Sequence, residues 1–249
     1  MLQINLRSVK NRAFSFFFPE YGETIRKGVL NLMKNKRSDK MSKNTIRLTV
    51  SGIMVAMSTV LSFIRFSELP YGGSVTLFSF VPILFVGYAY GAKWGISAGI
   101  VYGILQTIFG VSGAVSGAGF AWYQVILCAL LDYIIAGAML GTGGAFKKLI
   151  RKPQLSFGLG AFFACLLKYI SHFLSGYILF GTYAQWFFAE GDGMSYGAGI
   201  LSSYSGNMLS IIYSLIYNAT FMLPETIITV IMACILISVK PLRKACEVE

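Results

Sequence analysis

The sequence has 249 residues and 27.3 kDa, with 55% hydrophobic side chains, 12% charged ones and a mean hydropathy of +0.66. A soluble domain carries about 25% charged residues, so a globule in water is excluded and a chain dissolved in lipid is indicated. The net charge of +11 flanks the apolar part: residues 1–47 hold 11 basic and 3 acidic side chains, 48–239 hold 7 and 5, and 240–249 hold 3 and 2. Charge so placed orients membrane spans and excludes nucleic acid as a partner.

Residues 1–44 form a basic cytoplasmic extension with PEYGET (Pro19 to Thr24) and a charged cluster from Lys34 to Lys43. They offer no span. Met41 heads a segment that would make an ordinary membrane-protein start, so residues 1–40 are expected to be dispensable. Six apolar windows follow within a domain over 45–239, at 45–64, 75–92, 94–110, 118–140, 156–179 and 208–239. The expected class is all-α: a polytopic membrane protein of six transmembrane helices with both termini cytoplasmic. Residues 240–249 are the cytoplasmic tail. Lys93 and the Lys147, Lys148, Arg151, Lys152 cluster then lie inside, and Arg65, Glu68, Glu190 and Asp192 outside.

In the first span Gly52 and Ala56 stand four apart, a spacing that serves either internal packing or docking on a second membrane protein. The third span carries Gly95, Gly99 and Gly103 on one face, which predicts close approach of a neighbouring backbone. GVSGAVSGAG (Gly110 to Gly119) predicts a flexible outer connector, tight turn or gate. The outer loop over 181–207, with Trp186, Phe187, Phe188, Tyr196 and Tyr204, reads as an aromatic belt, with a lid or half-buried segment as the alternative.

Chemistry concentrates in three spans. Asp132 in ALLDYIIAG lies about 20 Å from the outer end of span four at ~1.5 Å per residue, near mid-membrane. A carboxylate there needs a cation, a donor or a ligand. Lys168 and His172 in LLKYISHFLSG share one helical face of span five, with Lys168 level with Asp132. An Asp132–Lys168 ion pair beside a hydrogen-bonded His172 is the structural reading; an outward-facing ligand pocket is the functional one. Span six adds Tyr213, Tyr217, Asn218 and Thr220, then Pro224 and Glu225; no role is assigned to Glu225. Trp122, Tyr123 and Phe180 offer aromatic faces near the outer end. An aromatic, partly cationic small molecule suits this set.

No GxxxxGK[ST], GxSxG or HExxH is present, and Cys128, Cys165, Cys234 and Cys246 form no CxxC pair. With one histidine, the sequence indicates neither enzyme, metal site, disulfide framework nor cofactor.

Five segments in order, LPYGGSVTLFSFVPILFVGYAYG (Leu69 to Gly91), GIVYGILQTIFG (Gly99 to Gly110), LLDYIIAG (Leu130 to Gly137), LLKYISHFLSG (Leu166 to Gly176) and YSLIYNATFMLPE (Tyr213 to Glu225), resemble the thiamine-specific S component of energy-coupling factor transporters. The resemblance covers 45–239. It implies a six-helix subunit in the cell membrane that captures thiamine from outside for a transmembrane coupling protein and two cytoplasmic ATPases, which explains the missing P-loop. It also implies a binding set of Asp132 and Tyr133, Lys168 and His172, Tyr213 and Asn218, with Phe180 where a Trp can stack, Trp122 near the start of span four, and Tyr102 in the third-span segment. Asp132 stands where members often have Glu. Tyr71 to Ser74 would belong to an outer lid, and Gly52 and Ala56 match the family's docking motif. The rivals are an S component for another vitamin or precursor, an intramembrane enzyme using His172 as base with Asp132, for which no nucleophile is present, and a self-sufficient carrier, for which no internal repeat is evident.

Overall fold

A computed structural model describes residues 43–68, 73–115 and 118–247. The extension over 1–40 and the lid residues Tyr71 and Gly72 lie outside the described residues. The chain divides into two units, 1–46 and 47–249; of the first, only 43–46 are described, as the opening turn of α1.

The elements in order are α1 (Lys43–Ser62), β1 (Arg65–Glu68), β2 (Ser74–Thr76), α2 (Val81–Tyr90), α3 (Ala92–Val115), α4 (Trp122–Gly144), α5 (Pro153–Ile178), α6 (Ala184–Ala189), α7 (Met194–Ser203), α8 (Gly206–Ser238) and α9 (Lys240–Glu247). Five of them, α1, α3, α4, α5 and α8, are long and apolar enough to cross a membrane. Their outward faces are aliphatic, with Val60, Ile108 and Leu223 each more than 60% exposed. Inside, Ser58, Ser79, Ser175 and Ser214 are fully buried. Apolar outside and hydroxyl-bearing inside is the arrangement lipid favours, because the bundle must satisfy its own polar groups.

The window expected over 75–92 is helical only from Val81 to Tyr90. Ten residues rise about 15 Å, half of a hydrocarbon core of ~30 Å. Before it, β1 and β2 pair antiparallel, Arg65 opposite Thr76 and Glu68 opposite Ser74, with an irregularity between Arg65 and Ser67. Phe78 then turns the chain through a left-handed conformation (φ 57°), and Pro82 sits in the first turn of α2, where its missing N–H costs nothing. Non-helical backbone packed inside a bundle must find partners. Glu225 of α8 supplies them, accepting from the Thr76 N–H at 2.6 Å and the Thr76 hydroxyl at 2.7 Å. Ser79 donates to Thr76 Oγ1 at 2.6 Å, and Ser58 donates to the Ser79 carbonyl at 2.7 Å. The carboxylate without a role in the sequence is the anchor of this segment.

The glycine face of α3 does what its spacing predicts. Gly95 lies against Gly141 of α4, Gly99 against Gly137, and Gly103 against the Tyr133 carbonyl, so closely that a Cβ on any of the three would overlap backbone. The connector expected from Gly110 is not all loop, since α3 continues to Val115.

At the opposite end, Lys147 is more than an orienting charge. Its ammonium donates to the carbonyls of Ala89 (3.3 Å) and Cys246 (2.9 Å) and lies 5.4 Å over the Tyr88 ring. It thereby ties the end of α2 to α9.

The aromatic segment over 181–207 folds into α6 and α7 after a short 3-10 turn at Gly181–Tyr183. Phe187 and Phe188 are buried, and Phe187 packs 5.3 Å from Tyr213 and 5.9 Å from Tyr217. The half-buried alternative therefore describes these two residues, whereas Trp186, Tyr196 and Tyr204 remain exposed as a belt would be.

Candidate solute-binding cavity

Residues from α1, the β1–β2 hairpin, the turn before α2, α3, α4, α5 and its C-terminal end, and α8 line a cavity of about 370 Å³. That lies within the ~300–1,000 Å³ of small-molecule sites. Asp132, Tyr133, Lys168, His172, Phe180, Tyr213, Asn218 and Tyr102 all line it. Trp122 does not. It stands 76% exposed at the start of α4, edge-on to Tyr123 at 6.0 Å, where an interfacial aromatic belongs.

Asp132 is held by α5. Its Oδ1 lies 2.8 Å from His172 Nδ1, its Oδ2 accepts a close hydroxyl from Ser175, and Cys128 Sγ approaches the same oxygen at 3.4 Å. With the carboxylate ionised, Nδ1 carries the hydrogen and donates, which fixes the imidazole tautomer. The Asp132–Lys168 ion pair of the structural reading is absent: among the described residues the carboxylate's salt-bridge partner is His172. Lys168 is 92% buried at the cavity wall with its ammonium 5.0 Å from the Phe80 ring centroid. The imidazole of His172 meets Phe221 edge-on at 5.7 Å.

Asn218 faces the cavity from α8. Its Nδ2 donates to the Ser214 carbonyl (2.8 Å) and the His172 carbonyl (3.3 Å), and Ser214 donates to the Phe173 carbonyl (2.7 Å). Side-chain amides and hydroxyls thus bind helix backbone across the α5–α8 contact, beside the cavity that Asn218 lines. Tyr213 and Tyr217 stack in tilted fashion at 5.6 Å, and Phe180 packs 5.0 Å from Phe120.

The sequence assigned no part in the site to Arg65, Thr76, Ser79, Phe80, Gln106 or Phe221, all of which line the cavity. Most belong to the hairpin and the turn before α2, where an apparent continuous span concealed a break. Ser175 was equally concealed, although it follows His172 by three residues and so lies on the same face.

Gly52 and Ala56 are exposed on α1, and a Cβ at Gly52 would meet nothing within 4 Å. Internal packing is not their role in this bundle.

Lipid-facing aliphatic helices around a cavity with charged and aromatic walls define a helical, multi-pass membrane protein. The model of the Thiamine transporter protein family (Thia_YuaJ) matches residues 48–191. Over 211 residues the chain is 32% identical to the thiamine transporter ThiT of Bacillus subtilis (strain 168), covering 80% of this chain and 94% of that one. It is 26% identical to the thiamine transporter ThiT of Lacticaseibacillus paracasei, covering 80% and 90%. The solved structure of ThiT from Listeria monocytogenes shares the fold, with a TM-score of 0.60 at 19% identity over 82% of this chain and 99% of that one. The chain belongs to the thiamine transporter protein family, as a multi-pass protein of the plasma membrane. The matched segment ends before α8, so the placing of Tyr213 and Asn218 rests on the cavity itself.

Proposed function

We propose that this chain is the substrate-binding S component of an energy-coupling factor transporter, capturing thiamine from outside for import driven by partner ATPases. The observation that carries this reading is the Asp132 carboxylate, held by His172 and Ser175 at the wall of a cavity whose lining includes the rings of Phe180, Tyr213, Tyr217 and Phe221. Thiamine joins an aminopyrimidine to a cationic thiazolium with a hydroxyethyl arm. A carboxylate and the Asn218 amide oxygen suit the first ring's donors, ring faces suit both rings, and Lys168 suits an oxygen of the arm. Charge is balanced around it: Asp132 and, one residue behind the wall, Glu225 offset Lys168 and Arg65, so a cation does not enter a net positive site.

Gly52 and Ala56, bare on the lipid side of α1, are proposed as the surface on which the transmembrane coupling protein docks. Small residues let a partner helix approach closely. Two cytoplasmic ATPases complete the complex, and the subunit itself performs no chemistry.

Calorimetry on the purified subunit with thiamine, riboflavin and biotin tests the reading. None of the three tryptophans lines the cavity, so heat of binding is a better readout than quenching of their fluorescence. Saturable one-to-one binding of thiamine alone is expected. Preference for either other vitamin would reassign the substrate, and binding of none would remove the S-component reading.

A further inference from the structure

Asp132 sits on a stretch of backbone that ordinary helix geometry does not explain. Between the α-helical turns Trp122–Cys128 and Ala136–Leu140, residues Ala129–Ile135 are wound as a π-helix. Such bulges are rare, and they shift the register of the side chains they carry. Asp132 and Tyr133, neighbours in sequence, both line the cavity. In lipid a widened turn carries a cost, because a carbonyl whose helical bond is weakened finds no water, and a hydroxyl from a neighbouring helix is the usual remedy.

Ser171 of α5 provides that hydroxyl, donating to the Leu131 carbonyl at 2.6 Å. Ser171 is buried, and it is not among the cavity-lining residues. His172 and Ser175, on the same helix, take the carboxylate of the next residue. One helix thus grips both the backbone before Asp132 and its side chain. On the other side, Gly103 and Gly110 of α3 leave room for the Tyr133 backbone and ring.

We propose that Ser171 is a positioning residue: by holding the Leu131 carbonyl it fixes the π turn that aims Asp132 and Tyr133 together into the cavity. This rests on Asp132 meeting the ligand, as proposed above. The test is a double-mutant cycle on the purified full chain, with thiamine titrated into the wild type, Ser171→Ala, Asp132→Asn and the double variant, and with Ser171→Thr as the hydroxyl-bearing control. Ser171→Ala is expected to weaken thiamine binding by about tenfold, the scale of one lost hydrogen bond. In the Asp132→Asn background it should add no more than about twofold. Ser171→Thr should bind within about threefold of the wild type if its hydroxyl reaches the same carbonyl. Unchanged affinity in Ser171→Ala overturns the inference, as does an equal loss in both backgrounds, which would mean general loosening. If Asp132→Asn leaves no measurable binding, the Thr variant decides: recovery upholds the inference, and a loss matching Ser171→Ala overturns it. A wild type that binds no thiamine would instead defeat the functional reading on which this rests.

Discussion

Helix α4 meets its two neighbours in opposite ways. Toward α3 it presents Gly137 and Gly141 to Gly99 and Gly95, and the two backbones approach with no side chain between them. Toward α5 it presents Asp132 and the Leu131 carbonyl to His172, Ser175 and Ser171. The first seam is stabilised by van der Waals contact over a close approach, the second by hydrogen bonds that lipid cannot replace. A glycine seam can hold a helix but cannot recognise a ligand. The polar seam can do both, and the cavity lies along it.

The comparison can be broken most severely on the glycine side. Gly99→Leu should leave little folded protein, because backbone would have to move: a loss of about 3 kcal/mol or more, read as aggregation on gel filtration in detergent. Phe187→Ala removes the packing behind Tyr213 and Tyr217 and should lower stability by about 3 kcal/mol, read by thermal unfolding in detergent, with a several-fold weaker thiamine affinity. Glu225→Ala orphans the Thr76 N–H and hydroxyl and should cost about 2 kcal/mol, whereas Glu225→Gln keeps an acceptor for the one and a donor for the other and should cost less than half of that. Smallest in its effect on the isolated subunit is Ala56→Trp, which points into lipid: stability and thiamine affinity should stay within about twofold, while cellular uptake falls by at least about tenfold if this face docks the coupling protein. Equal loss of binding and uptake would show that Ala56→Trp disturbs the subunit itself and would remove the docking assignment.

How much of this was legible in the sequence follows from the physics of each seam. Glycines at four-residue spacing are visible because nothing but close approach rewards them in a lipid-dissolved helix. Asp132, Lys168 and His172 were visible because ionisable groups stand out in an apolar run. Their pairing was not: helix spacing placed Lys168 level with Asp132, but His172 and Ser175 reach the carboxylate. The π turn shifts register by an amount no periodicity reveals. The broken second helix was hidden because Ser74 to Val81 is uncharged and carries no Gly or Pro to mark a break, and the partner that satisfies its backbone, Glu225, is 149 positions from Thr76. Trp122 was ambiguous for a related reason, since an aromatic near a helix end serves belt and pocket equally well by composition; it lies outside the cavity lining.

The most direct measurement is the thiamine affinity of wild type against Asp132→Asn, by calorimetry on the purified subunit in one detergent at one pH. A carboxylate that meets the ligand predicts saturable binding by the wild type and a loss of at least about tenfold in the variant, with the thermal unfolding of the two ligand-free proteins close together. Equal affinities would contradict it, leaving Asp132 a brace between α4 and α5 and the cavity without its central recognition group.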